Sequence, residues 1–309
     1  MTQSATTILR IGTRGSPLAL VQARTVRARL AAVLGVSEDE IGLNIIRTSG
    51  DAIQDRPLAE VGGKGLFTKE IEEALLDGRV DLAVHSAKDM PTYSQPGLML
   101  AACLEREDPR DVFISHKARS FAELPKAATL GTASLRRQAI AKRLRGDLNV
   151  VSIRGNVETR LRKLADGEVD ATILALAGLK RLGLVEHATA IMHIHEFLPA
   201  VAQGAIGLEA RANDTRTRDI LARINHADTF TAIACERAFL AELDGSCKTP
   251  IAGHATLLGD TIHFRGLLAH PDGDPSCEYQ TRGPRADAIK IGTEAGRHIK
   301  REGPPGLFG

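Results

Sequence analysis

The residues most able to do chemistry lie in Arg79-Val80-Asp81-Leu82-Ala83-Val84-His85-Ser86-Ala87-Lys88-Asp89-Met90-Pro91-Thr92. The apolar run Leu82-Ala83-Val84 reads as a buried strand, and it turns at once into His85, Ser86, Lys88 and Asp89 before Pro91 ends it. Open α/β sheets place ligands outside the carboxyl ends of their strands, so a polar strand tip of this kind is a candidate site. Asp89 is the acid at that tip. A carboxylate can accept N–H donors and stabilise positive charge that develops on a substrate. Taken alone, an aspartate in an arginine-rich chain is better explained as half of a salt bridge.

Three further corners repeat one pattern: Arg14 with Ser16, Ser134 with Arg136 and Arg137, and Arg154 with Asn156 and Arg160. Each puts arginine beside a residue suited to cap a helix. A helix N-terminus carries about half a positive charge and free N–H groups, so arginine there adds to an existing anion preference. One such corner is common on protein surfaces. Three in succession describe a site for a ligand with several carboxylates or phosphates. The basic residues are 29 Arg and 11 Lys, favouring the planar fork that binds carboxylate bidentately, although compositional bias alone would give that ratio.

Cys247 lies in Leu243-Asp244-Gly245-Ser246-Cys247-Lys248-Thr249-Pro250, where glycine and proline expose it and Lys248 favours the thiolate. Cys103, Cys235 and Cys277 read as structural. Four cysteines in 309 residues make neither a disulfide scaffold nor a metal-type spacing, which points to a reducing, cytoplasmic setting. His193 and His195 are a poor metal pair without further ligands, and His254 is too weakly placed for a Cys-His hydrolase. Val61-Gly62-Gly63-Lys64-Gly65 lacks the leading glycine and the Ser/Thr of a phosphate loop, and is read as a mobile glycine loop carrying a basic residue.

The elements that must hold these residues alternate as in an α/β protein. Strands are expected near 8–11, 43–47, 82–84, 98–103, 129–132, 149–153, 171–176 and 205–210. Helices are expected to start at Ser16-Pro17, to carry Phe67, Ile71, Ala74 and Leu75 on one face, and to follow Ser134 and Asn156. Further helices are expected over 215–225, 229–243 and 286–300. Glu105–Arg110 and Leu198–Gly204 read as crossings between domains. From about residue 251 short strands alternate with turns. Hydrophobic content of 43% and charged content of 25% are those of an ordinary globular protein. No run approaches a membrane span. A formal charge of +2, with 3% aromatics and no Trp, argues against a nucleic-acid binder.

Read together, these motifs resemble the porphobilinogen deaminase (hydroxymethylbilane synthase) family. The matching stretches are Thr13-Arg14-Gly15-Ser16-Pro17-Leu18-Ala19-Leu20, Gly62-Gly63-Lys64-Gly65-Leu66-Phe67, His85-Ser86-Ala87-Lys88-Asp89-Met90-Pro91 and Glu105-Arg106-Glu107-Asp108-Pro109-Arg110-Asp111. Gly131-Thr132-Ala133-Ser134-Leu135-Arg136-Arg137, Arg154-Gly155-Asn156-Val157, Ala177-Gly178-Leu179-Lys180-Arg181-Leu182-Gly183 and Glu236-Arg237 through Ile251 continue the match in order. The loop at Ala202, where the family often has an extra glycine, and the short Pro/Gly-rich tail are the departures.

The resemblance implies an α/β fold of two periplasmic-binding-protein-like domains and a small α+β C-terminal domain. Domain 1 would take 1–104 and 200–224, domain 2 105–199 and domain 3 225–309. It implies a transferase that joins four porphobilinogen molecules head to tail into hydroxymethylbilane, releasing ammonia, in tetrapyrrole biosynthesis. The reaction is primed on a dipyrromethane cofactor held by a thioether to Cys247. By motif match, Asp89 is the catalytic aspartate, accepting pyrrole N–H bonds and stabilising the cationic azafulvene. Lys88, Ser134, Arg136, Arg137 and Arg160 bind the cofactor. Arg14, Ser16, Arg154, Arg181 and Gln203 bind the acetate and propionate groups of the substrate, and Lys64 and Phe67 belong to a mobile cover. Porphobilinogen is then the partner, with no nucleic acid or membrane, in a cytoplasmic monomer. A non-catalytic anion-binding module would explain the arginine corners, but would need neither Asp89 nor an exposed Cys247.

Overall fold

The computed structural model describes residues 7–52, 65–245 and 249–307. Contacts divide the described residues into two compact units, one built from those up to 106 and from 205–230, the other from 107–204 and those from 231 onward.

The first unit is built on strands β1 (Leu9–Thr13), β2 (Ile41–Ile45), β3 (Leu82–Ser86), β4 (Leu98–Cys103) and β10 (Ile206–Arg211), in the order β2-β1-β3-β10-β4. β1 is parallel to β2 and β3, and β10 runs antiparallel between β3 and β4. Helix α1 (Pro17–Leu34) starts as expected, with Ser16 as cap and Pro17 in its first turn. Its Val26, Leu30 and Ala31 are buried against Ile11, Val84 and Leu208, with Val33 and Leu34 packed at the margin. Gly35 ends it at a φ of 71°. Helix α2 (Lys69–Leu76) buries Ile71, Ala74 and Leu75 on the opposite face of the sheet, against Val80 and Ala83.

The second unit contains β5 (Asp111–Ser115), β6 (Thr129–Gly131), β7 (Asn149–Val151), β8 (Ala171–Ala175) and β9 (Ala190–Ile191), in the order β7-β6-β8-β5-β9. Again three strands are parallel and the fourth in order, here β5, is antiparallel. Helices α3 (Leu135–Leu144), α4 (Val157–Ala165) and α5 (Leu176–Leu182) follow β6, β7 and β8. The same unit holds an antiparallel sheet of β11 (Ile251–Leu258), β12 (Thr261–Ala269) and β13 (Ser276–Pro284). Ala252 and Leu267 of that sheet share one core with Phe113, Phe197 and Leu198. Helix α6 (Thr215–Ala222) belongs to the first unit, as does a single helical turn at Ser49–Ala52; α7 (Ala227–Glu242) and α8 (Ala288–Glu302) lie further along the chain. Gly292 permits close helix approach: a Cβ there would lie 2.0 Å from the Cys235 carbonyl oxygen.

The mixed α/β architecture with a small C-terminal sheet is the expected fold class. Several details differ. β2 begins two residues before the expected strand, because Ile41 and not Ile46 is the buried end that pairs with Leu9. Phe67 sits in the turn before α2, outside the helix. The short strands expected after residue 251 merge into two eight- and nine-residue strands joined by a tight turn. β5, β9 and β13 were not foreseen as strands.

Candidate functional site

Parallel neighbours bring their carboxyl ends to one edge, and this assembles a group of functional residues in each unit. In the first unit β1 and β3 are such neighbours. β1 runs into Arg14 and the Ser16 cap, whose hydroxyl accepts the Ala19 N–H at 3.3 Å. β3 runs into a single helical turn, Ala87–Asp89, and the Ala87 N–H is held by the Ala205 carbonyl at 3.0 Å as β10 begins. Arg14, Ser16, Gln22, Phe67, Ser86 and Asp89 line one open pocket. The Arg14 guanidinium lies 4.2 Å from the centre of the Phe67 ring, and the Ser86 hydroxyl pairs with the Gln22 amide at 2.9 Å. Asp89 and Lys88 are half-buried.

His85, which also lines that pocket, belongs to a charged group that sequence reasoning did not assign. His85 and Glu209, both buried, approach to 3.3 Å between Nε2 and Oε2. Glu72 joins them from α2, and burial pushes its carboxyl above the usual range, with the Glu209 charge adding to that and a Thr68 hydrogen bond and His85 opposing it. Alternation along β3 and β10 signals the pair only once their pairing is known, since His85 faces Gly207 and Glu209 faces Ala83.

In the second unit β6, β7 and β8 carry their corners to one edge. Ser134 caps α3 through the Arg137 N–H at 3.4 Å, and Asn156 caps α4 through the Thr159 N–H at 2.9 Å. Arg160 Nε donates to the Gly155 carbonyl at 2.9 Å, and Arg154 is half-buried nearby in sequence. Arg181 Nη2 donates to Gly204 O at 2.6 Å; burial lowers its pKa, opposed by Glu107. Glu107 is itself held below the usual carboxylate range, chiefly by its 2.7 Å bond from Lys180.

Arg136 and Arg137 are more deeply placed than surface carboxylate binders would be, each 5% exposed. Both turn onto Asp111, the first residue of antiparallel β5, which register with Ala175 brings to this same edge. Burial pushes the Arg136 guanidinium below its ordinary value, the Asp111 charge opposing this and Arg137 adding to it. Gln203 is buried as well and donates to the Pro109 carbonyl at 2.7 Å and to Asp111 Oδ1 at 3.0 Å. Asp111 is a further residue to which the sequence reading gave no role. The available signal was an acid opening the wholly apolar run Val112-Phe113-Ile114.

Lys64 and Cys247 lie outside the described residues. Cys103 and Cys235 are buried and Cys277 is partly so, and burial raises Cys235 to about 12. His193 and His195 stack at 5.1 Å, and among the described residues no group of His, Cys, Asp or Glu is arranged to hold a metal. No described helix is long and apolar enough to cross a membrane.

Each unit thus gathers charged groups at one sheet edge, one set around a half-buried aspartate and the other around capped helix ends bearing arginine. Residues 9–219 match the family model for the porphobilinogen deaminase dipyromethane cofactor binding domain, and residues 230–301 match that for the porphobilinogen deaminase C-terminal domain. The chain is 57% identical over 298 residues to the porphobilinogen deaminase of Nitrobacter hamburgensis, covering 96% of this chain and 94% of that protein. The porphobilinogen deaminase of Nitrobacter winogradskyi matches equally, at 57% with the same coverage. The chain belongs to the porphobilinogen deaminase family.

Among solved structures, a periplasmic substrate-binding protein of an ABC transporter from Coxiella burnetii is similar at a TM-score of 0.42 and 15% identity, over 74% of this chain and 97% of that one. The periplasmic aliphatic sulphonate binding protein of Escherichia coli gives 0.42 and 16%, over 76% and 70%.

The donor set fits the cofactor that the family model names. A dipyrromethane assembled from porphobilinogen carries acetate and propionate groups. The Arg136–Asp111–Arg137 cluster holds one more formal positive charge than negative beside a capped helix end, and so favours such a group.

Proposed function

We propose that this protein is a transferase that condenses four porphobilinogen molecules head to tail into hydroxymethylbilane, with release of ammonia. The observation that carries the reading is 57% identity over 96% of the chain to curated porphobilinogen deaminases. When bound, a dipyrromethane attached to Cys247 would supply the covalently held pyrrole end that is extended. Ser134, Arg136, Arg137 and Arg160, with Lys88, would hold its acidic side chains. Arg14, Ser16, Arg154, Arg181 and Gln203 would take those of the substrate and the growing chain. Asp89 would accept the pyrrole N–H and stabilise the positive charge that appears as ammonia departs. Phe67, stacked on Arg14, would with Lys64 form part of a cover. We take residues 225–309 as a third domain, and a cytoplasmic monomer as the working form.

Intact mass spectrometry of purified protein tests this reading. The expected result is an excess equal to two condensed pyrrole units, absent from Cys247→Ala. An unmodified mass for wild-type protein that turns over porphobilinogen would sink the cofactor assignment. Absence of turnover would sink the activity.

A further inference from the structure

Asp111 is wholly buried, and none of the roles above uses it. Its Oδ1 accepts Nε and Nη2 of Arg137 at 3.1 and 2.8 Å and Nε2 of Gln203 at 3.0 Å. Its Oδ2 lies 2.8 Å from Nη2 of Arg136, whose Nη1 donates to the Leu198 carbonyl, also at 2.8 Å. Arg136 and Arg137 are consecutive residues of α3, and at 3.6 residues per turn consecutive side chains leave a helix in different directions. A common acceptor is what makes them converge. The acceptor is set by the sheet: antiparallel β5 starts where parallel β8 ends, with Asp111 opposite Ala175.

The charge count adds to the argument. Two guanidinium groups share one carboxylate, and the arginine side chains are each 6% exposed. A buried array left with one formal positive charge is under electrostatic tension that a second anion relieves. Gln203 is fixed at its other side by the Pro109 carbonyl, so its amide is oriented as part of the same array.

We infer that Asp111 is a positioning residue: it draws Arg136, Arg137 and Gln203 into one fixed array, and the uncompensated charge of that array receives an acidic side chain of the pyrrole chain. This rests on the function proposed above, which supplies the acidic ligand. Two substitutions separate positioning from plain charge balance. Asp111→Glu keeps the charge and displaces the carboxylate by one methylene. Asp111→Asn keeps the shape, removes the charge and turns an NH2 toward a guanidinium.

The experiment measures porphobilinogen KM and kcat, the fraction of protein carrying the two-pyrrole mass, and thermal unfolding for wild type and both variants. Asp111→Glu is expected to fold and to raise KM about tenfold with kcat changed less than about threefold, the pattern of a lost binding interaction. Its modified fraction should fall below that of wild type, and Asp111→Asn should be affected at least as strongly. If Asp111→Asn fails to fold, Asp111→Glu decides alone. Wild-type KM and loading in Asp111→Glu overturn the inference while leaving the proposed function standing. A wild-type protein without adduct or turnover overturns the function, and the inference falls with it.

Discussion

Glu236 Oε2 accepts the backbone N–H of Ala202 at 2.6 Å, fastening a residue with a φ of 62° to helix α7. The other oxygen, Oε1, accepts the Ala255 N–H of β11 at 2.8 Å. One fully buried carboxyl thus holds a left-handed alanine, which is costly for any residue with a Cβ, and the C-terminal sheet together. Gln203 follows directly, so this contact also bears on the array around Asp111.

Glu236→Gln should therefore destabilise the protein through a single, isosteric change. The amide keeps one acceptor and turns an NH2 toward a backbone N–H. Loss of one hydrogen bond to an acidic group with a buried donor left unmet costs about 2–3 kcal/mol. Denaturant unfolding at neutral pH would measure it, and a midpoint equal to wild type would contradict the assignment.

Glu72→Gln should act in the opposite sense. Burial first, and the Glu209 charge second, raise the folded-state pKa of Glu72 above its unfolded value. A carboxyl raised in this way favours folding at low pH, where both states are protonated, and that contribution is lost as pH climbs from the unfolded value, about 4.3, through the raised one. The glutamine variant does not titrate. It should unfold a few degrees above wild type at pH 7, roughly 2 °C or more in a chain of this size, with the difference shrinking toward pH 4. A gap that is constant with pH would show that packing, not ionisation, is responsible.

The parts of this site legible in the sequence were those governed by local rules. Ser16, Ser134 and Asn156 cap helices as their neighbours indicated, since capping depends on a few adjacent residues. The tip at Asp89 was legible because an apolar run broke into polar residues. Asp111, Glu209 and Glu236 were not, because each meets partners 19 or more positions away that only sheet order brings near. β5 itself was missed because three apolar residues, Val112-Phe113-Ile114, beside a proline-containing crossing show no periodicity to separate them from the loop. The depth of Arg136 and Arg137 was hidden for the same reason. Arginine at a helix start reads as a surface group until its acceptor is known.

Thiol chemistry offers a third check. Cys103 and Cys235 are buried, burial lifting Cys235 to about 12, and Cys277, only partly buried, is also raised by burial and then by Glu302. Native protein at pH 7.5 should thus leave Cys103 and Cys235 unalkylated and modify Cys277 slowly. In denaturant, protein carrying the thioether should yield three reactive thiols of the four cysteines, and Cys247→Ala should yield three as well but without the added mass. Four thiols from wild type with full activity would contradict a covalent link at Cys247.

Asp89→Asn tests the tip itself. Asp89 lines its pocket with Arg14, Ser16 and Phe67, and the adjoining turn is anchored by the Ala87 N–H on Ala205 O, not by the Asp89 side chain. The substitution should accordingly leave fold and pocket shape intact. Asparagine keeps an acceptor for the pyrrole N–H, so substrate binding should persist, with KM within about threefold of wild type. What it lacks is the negative charge that stabilises a cation forming as ammonia leaves. Removing one preorganised electrostatic partner of this kind lowers kcat by roughly 10²–10³. Ammonia release under saturating porphobilinogen would measure the loss, with the modified mass confirmed beforehand so that a deficit in turnover is not a deficit in priming. Near-normal turnover would remove Asp89 from the mechanism, and a raised KM with unchanged kcat would recast it as a binding residue.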